Sequence, residues 1–310
     1  MRRFLGVAAA LVLLVAAGCG RARPTVRPNP SASTFPLTII DDTGRSVLIP
    51  HKPQRIVSVT LGTDEILLGG LVPRARVVGV TKYAADPNES WVSGRVGHIA
   101  QLSTASAEQI LALKPDLVFV ASYTTPGVVA QLEGSGVPVI EFTTFSSVAD
   151  IQSHILTMGR AVGNLAGAQA MVAKMNAQLA AVAAKVKSLP PARLLYYTSD
   201  GYVFGKGTTP DQLVRDAGGV NVADAAGITS WKQVTLGTVA ALKPDWLLTG
   251  TTQPGFAAKL LRNPVLAAVP AVAGRHVLAL PDRDLTVVSQ YFSQAVQVVA
   301  ADLHPSAFGH

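Results

Sequence analysis

The order of apolar and polar positions divides the chain into three stretches. From Leu37 to Phe142, short apolar runs alternate with amphipathic ones. "LTIIDDTGRSVLIP" (37–50) reads as a hairpin, two β-rich runs about the turn "DDTG". "RIVSVT" (55–60), "RVVGVT" (76–81), "DLVFVA" (116–121) and "VPVIEF" (137–142) are apolar along most of their length, as strands covered on both faces are. Between them "TDEILLGGL" (63–71), "STASAEQILAL" (103–113) and "TPGVVAQLEGSG" (125–136) have helical spacing. From Ser147 to Leu189 the strand pattern stops. One helix is predicted over 147–163 and a longer one over 164–189, where Met171, Met175, Leu179, Val182 and Val186 fall on one face and read as core packing. Pro190 and Pro191 end it. The alternation then resumes, with strands at 193–198, 245–250 and 276–281 and helices at 209–219, 235–242, 255–263 and 286–303.

This alternation predicts an α/β fold: two lobes, each with a central, mostly parallel sheet flanked by helices, joined by a single long rigid helix. The lobes span 36–162 and 191–310, and the bridging helix spans 163–190. A repeat supports the pairing of lobes. "ALKPD" occurs at 112–116 before "LVFVA" and again at 241–245 before "WLLTG". In each copy Lys is placed at the helix end, where a cation suits the dipole, Pro stops the helix, and Asp leads into a strand.

The ends alter the charge picture. Net charge is +7, but five of the 26 basic residues lie in 1–35, which holds no acid, leaving 21 bases against 19 acids in the body. That balance argues against a nucleic-acid-binding body. Arg2 and Arg3, the apolar run 4–17 and the small residues Ala16, Ala17 and Gly18 before Cys19 resemble a bacterial lipoprotein signal. The expectation is a signal peptide over 1–18, a lipidated Cys19 and a Pro-rich tether over 19–35, with the protein outside the cytoplasm and lipid-anchored to the membrane. An ordinary secretory signal with an incidental cysteine is the alternative. Cys19 is the one cysteine, so no intrachain disulfide can form.

Three segments carry a family resemblance: 53–87, "AEQILALKPDLVFVA" (107–121), and "DQLVRDAGGVNVA" (211–223) followed by "WKQVTLGTVAALKPDWLLTG" (231–250). They resemble the iron-siderophore and vitamin B12 binding proteins of bacterial ABC importers. The resemblance implies a monomer that holds a ligand between its lobes, delivers it to a permease and performs no chemistry. The cargo it implies is a ferric siderophore or related metal chelate, with cobalamin or haem as alternatives; no cofactor or resident metal is expected.

Ligands of parallel sheets bind beyond the carboxyl ends of strands. The predicted strand-end loops offer Lys82, Tyr83, Tyr123, Tyr202, Trp231, Arg283 and Tyr291, with His98 before the helix 103–113. Tyr83 and Trp231 match cleft positions of the B12-binding branch, whereas Ala121 stands where that branch has an aromatic residue. The resemblance also implies docking through a carboxylate on each lobe. Glu108 occupies the first position and Gly237 the second, so the expected acid is missing from the second lobe. Ser106 and Gln109 predict a capping box around Glu108.

Other chemistry is not written here. "GYVFGKGT" (201–208) lacks the Gly spacing and the Ser or Thr of a phosphate-binding loop. The six histidines show no i, i+4 pair, although His98 would suit a haem iron. No nucleophile elbow or paired-carboxylate motif appears.

Overall fold

A computed structural model describes residues 34–104 and 106–309. The N-terminal hairpin pairs β1 (Leu37–Ile40) with β2 (Ser46–Ile49) in antiparallel register, Leu37 opposite Ile49. Buried Asp41 holds the turn: its carboxylate accepts from the Thr43 and Arg45 backbone N–H groups, each at 3.0 Å, and pairs with the Arg45 guanidinium. Cys19, the expected signal peptide and the tether up to residue 33 lie outside the described residues.

The first lobe is built on β3 (Ile56–Ser58), β4 (Val77–Thr81), β5 (Ala100–Leu102), β6 (Leu117–Ala121) and β7 (Val139–Phe142). All pair in parallel, in the order β5-β4-β3-β6-β7. The helices Val148–Ala161 and Leu165–Val186 follow, the second being the long helix between the lobes. Beyond it come β8 (Ala192–Tyr196), β9 (Tyr202–Phe204), β10 (Gly219–Asn221), β11 (Trp231–Gln233), β12 (Trp246–Gly250) and β13 (Val277–Leu280). The second parallel sheet runs β10-β8-β12-β13, while β9 and β11 form a small antiparallel pair of their own.

The two lobes share one core. A continuous apolar cluster runs from Ile56, Phe119 and Phe142 through Met158, Met175, Val182 and Val186 to Leu194, Leu248 and Val296. Met175, Val182 and Val186 of the predicted stripe are buried, and Met171 and Leu179 are partly so. Separate clusters fill the outer faces of the two sheets.

The doubled "ALKPD" is a structural twin. In both copies the helix ends on a lysine in the left-handed region, Lys114 at φ 49° and Lys243 at φ 47°. The helix ends are capped from elsewhere: Arg55 donates to the Leu113 carbonyl at 2.5 Å and Arg193 to the Leu242 carbonyl at 3.1 Å. The cation on the last carbonyls thus comes from the neighbouring strand, not from the lysine of the repeat.

Four short strands, β5, β9, β10 and β11, were not predicted. Each has only three residues, too few to show alternation. The terminal helix was expected from Thr286 and starts at Phe292. The residues before it, with β-branched Val287 and Val288, form a non-helical strap that crosses to the first lobe.

Candidate functional site

Strand order locates the site. In the first sheet the chain moves outward from β3 through β4 to β5, then returns to add β6 and β7 on the other side. The switch point lies between β3 and β6, where the loops at their carboxyl ends diverge and leave a crevice. Leu61 and Gly62 follow β3, and Tyr123 follows β6. These three line a crevice of about 180 Å³, closed from the other side by Arg283, Thr286, Val287 and Val288 of the strap. The approach is close: a Cβ on Gly62 would lie 2.8 Å from Val288 Cγ2 and 3.0 Å from its carbonyl oxygen. Thr63, the next residue, is buried and bonds Ser58 Oγ at 2.6 Å and the Thr60 carbonyl at 3.0 Å, facing away from solvent.

Glu65 forms the wall of this crevice and was missed by sequence reasoning. It is 3% exposed. Its carboxylate accepts from the Trp91 backbone N–H at 2.8 Å and from Ser289 Oγ at 2.5 Å, while its own carbonyl accepts from Gln290 Nε2 at 2.8 Å. Burial raises its pKa to about 7, opposed by the bonds from Ser289, Trp91 and Ser90 and by the Arg283 charge. Glu89, also lining the crevice, is held above its ordinary value by burial and by Asp282 and Asp86. The signal was present in "TDEIL": two consecutive acids in a helix that is otherwise apolar.

Arg283 reaches across the lobes. Its backbone N–H donates to the Asn88 carbonyl at 2.9 Å and its Nη1 to the Pro87 carbonyl at 2.8 Å. Its guanidinium lies 4.9 Å from the centre of the Trp91 ring, whose Nε1 donates to the Arg283 carbonyl at 2.9 Å. Asn88 extends the clasp with bonds to Thr251, Thr252 and Asp282 of the second lobe.

The remaining candidates separate into groups. Lys82 and Tyr83 follow β4, with Lys82 Nζ 5.2 Å from the Tyr83 ring centre. Tyr202 and Trp231 meet edge to face at 5.5 Å on the β9–β11 pair, which adjoins the carboxyl end of β8. Three of these rings are open to solvent: Tyr83 is 50% exposed, Tyr123 68% and Trp231 63%. His98 stands elsewhere. The unpredicted strand β5 begins two residues after it, so His98 lies at the amino end of the sheet, on a surface shared with Arg55 and Val77, opposite the crevice. Tyr291 faces the rear of the strap and stacks on Trp91 at 5.7 Å. Among the described residues, no three His, Cys, Asp or Glu side chains converge to hold a metal ion.

Glu108 is exposed in the first turn of the helix Ala107–Ala112. Ser106 caps this helix, accepting from the Gln109 N–H at 3.3 Å, while Gln109 turns its side chain to Thr104. Gly237 is exposed at the matching step, behind Thr235, which caps its helix by accepting from the Thr238 N–H at 3.2 Å.

Comparison with known proteins gives a consistent result. A cobalamin-binding protein of Halobacterium salinarum is 28% identical over 255 residues, covering 79% of this chain and 68% of its own. An uncharacterised ABC transporter substrate-binding lipoprotein of Bacillus subtilis, YvrC, is 26% identical and covers 99% of both chains. Among solved structures, the periplasmic heme-binding protein RhuT of Roseiflexus sp. RS-1, in apo form, superposes with a TM-score of 0.72 at 28% identity, over 82% of this chain and 99% of that one. The periplasmic binding protein signature matches residues 56–283. That match runs from the first residue of β3 to the arginine of the crevice wall and takes in the helix between the sheets, and the chain accordingly belongs to the periplasmic binding protein family.

Proposed function

We propose that the chain is the extracytoplasmic substrate-binding component of an ABC importer, and that its cargo is a planar metal macrocycle of the cobalamin or haem kind. The observation that carries this reading is the set of three solvent-open rings at the carboxyl side of the sheets, Tyr83 and Tyr123 after strands of the first lobe and Trp231 on β11 of the second. Large apolar rings left in water mark a surface that is covered when a partner binds. A flat conjugated ligand offers matching faces. The crevice of about 180 Å³ is smaller than the ~300–1,000 Å³ usual for small-molecule sites. A macrocycle therefore lies outward against the rings and sends at most a side group inward. The names of the relatives from Halobacterium and Roseiflexus, cobalamin-binding and heme-binding, support the same class.

A ferric siderophore is the second reading, favoured by Lys82, an exposed cation beside Tyr83 that suits an anionic chelate. On either reading Glu108 is the docking carboxylate of the first lobe toward the permease, and lipidation of Cys19 holds the protein at the membrane. Among the described residues no helix is long and apolar enough to cross a membrane.

The test is a fluorescence titration of the full chain with cyanocobalamin, haemin and ferric siderophores, with Trp231→Phe as the control for the reporting ring. Binding below about 10 μM, roughly −7 kcal/mol, with a signal that depends on Trp231 is expected. If all three ligands fail at that concentration, the importer reading loses its ground.

A further inference from the structure

The strap that closes the front crevice has a second face. Val287 and Val288 look into the crevice, while Gln290 and Tyr291 line a different cavity, of about 370 Å³, behind it. This rear cavity is walled by Arg95 of the first lobe, by Lys174 and Met171 on the long bridging helix, and by Gln294 of the terminal helix. Its volume falls inside the ~300–1,000 Å³ of small-molecule sites, which the front crevice does not reach.

Its chemistry is one-sided. Arg95 and Lys174 are both exposed cations, and no Asp or Glu is among the residues that line it. The Arg95 guanidinium has one described hydrogen bond, from Nη1 to the Leu68 carbonyl at 3.0 Å, and neither cation has a salt bridge among the described residues. Deeper in, the need is for donors. Gln290 is 9% exposed and spends its amide on the Glu65 carbonyl, and its Oε1 is buried without a partner. The Oε1 of Gln294 is buried and unpartnered in the same way. An unmet buried acceptor costs about 1–3 kcal/mol, and the terminal torsion of Gln294 is soft enough to turn its acceptor toward a guest, whereas Gln290 is held by its bond to the Glu65 carbonyl. Met171 and the Tyr291 ring supply apolar surface between the two polar ends.

We infer that the rear cavity binds a compact hydroxycarboxylate: carboxylates on Arg95 and Lys174, and a hydroxyl donating to the Gln294 side-chain carbonyl. The site is independent of the macrocycle surface in front. It also touches both lobes and the helix between them, and it shares the strap with the front crevice. A guest in it therefore holds the strap against Gly69, where a Cβ would lie 2.1 Å from Gln290 Nε2.

Isothermal titration of the full chain with citrate, and with malate as the smaller probe, tests this. Saturable binding in the micromolar to low-millimolar range is expected, weakened at least about tenfold in Lys174→Glu, since the charge-assisted bonds are replaced by repulsion. Ala170→Trp, which fills the cavity from the exposed side of the bridging helix, should abolish it. Lys187→Glu, at the far end of the same helix, should leave it unchanged. All three substituted positions are exposed, and circular dichroism should show each variant folded. Absence of binding by citrate and malate at 5 mM, retention of full affinity in Lys174→Glu, or an equal loss in Lys187→Glu would each overturn the assignment.

Discussion

Ser289 Oγ of the second lobe donates to Glu65 Oε2 of the first at 2.5 Å, in a position where both residues are buried. The bond ties the strap to the helix after β3, and Trp91 holds the other carboxylate oxygen. One carboxyl group thus joins the crevice floor, the clasp loop and the strap. Its state of charge bears on how firmly the lobes are held together.

The sign of its pH dependence follows from the raised pKa. The folded protein holds the Glu65 proton up to about pH 7, whereas the unfolded chain releases it near 4.5. Between those values the folded state binds more protons, so stability is full below about pH 4.5 and falls as pH rises toward 7. At 1.36 kcal/mol for each pH unit, the loss is on the order of 3 kcal/mol. Glu65→Gln keeps an acceptor for Trp91 and cannot ionise. Its urea-unfolding free energy should therefore fall less between pH 4.5 and 7.5 than that of the parent. Parallel profiles for the two proteins would show that Glu65 does not titrate in this interval.

Gly62 is the second point at which the strap meets the first lobe. An alanine there places its methyl group against Val288, backbone as well as side chain. Overpacking of this kind costs about 1–3 kcal/mol. Gly62→Ala should lower the denaturation midpoint accordingly and weaken ligand binding, because the displaced strap carries Arg283. Unchanged stability would mean that the strap yields freely.

Lys243 offers a test in the opposite direction. It sits at φ 47° and ψ 57° immediately before Pro244, a conformation that costs an L residue about 1–2 kcal/mol. Glycine removes that cost and gives back roughly 0.5–1 kcal/mol in chain entropy. Lys243→Gly should stabilise the protein by about 0.5–1 kcal/mol in thermal or chemical unfolding, and Lys114→Gly should do the same in the first lobe. A loss of stability in both would mean that the lysine side chains hold the helix ends themselves.

Much of the fold could be read from the chain, because apolar runs bounded by helical segments and a 22-residue helix write their pattern clearly. The site was less legible. Tyr123 and Arg283 were placed at the crevice by strand-end reasoning, and both line it. His98 was misplaced because three-residue β5 hides between it and the next helix, reversing the end of the sheet it belongs to. Tyr291 was read into a helix whose first six residues are strap. Glu65 went unnoticed because its role depends on Ser289, a residue whose proximity only the tertiary fold creates.

Trp231 allows ligand contact to be separated from folding. At 63% exposure, with an edge-to-face contact to Tyr202 as its described ring partner, it adds little to the core. Trp231→Ala should change stability by within about 0.5 kcal/mol. The lost ring contact should weaken macrocycle binding about 2- to 10-fold, the equivalent of 0.5–1.5 kcal/mol. Tyr83→Ala should behave alike. Equal affinities in parent and variants, measured by absorbance titration, would remove these rings from the binding surface.

The two lobe tips differ in charge at matching steps, and this predicts an asymmetric grip on a permease. Glu108 is exposed, and a Cβ at Gly237 would make only an ordinary contact, 3.5 Å from Thr235 Oγ1. An acid in the first helical turn is worth only about 0.3–1 kcal/mol to the helix, so Glu108→Lys should fold normally and bind ligand with unchanged affinity. With docking through Glu108 as proposed, it should lower uptake severely in reconstituted vesicles carrying the cognate permease, because a cation replaces the docking anion. Gly237→Glu, placed on a helix end already capped by Thr235, should raise affinity for the permease if the membrane side presents cations to both tips. If Glu108→Lys transports as well as the parent, docking does not run through this carboxylate, and the asymmetry of the tips has no part in delivery.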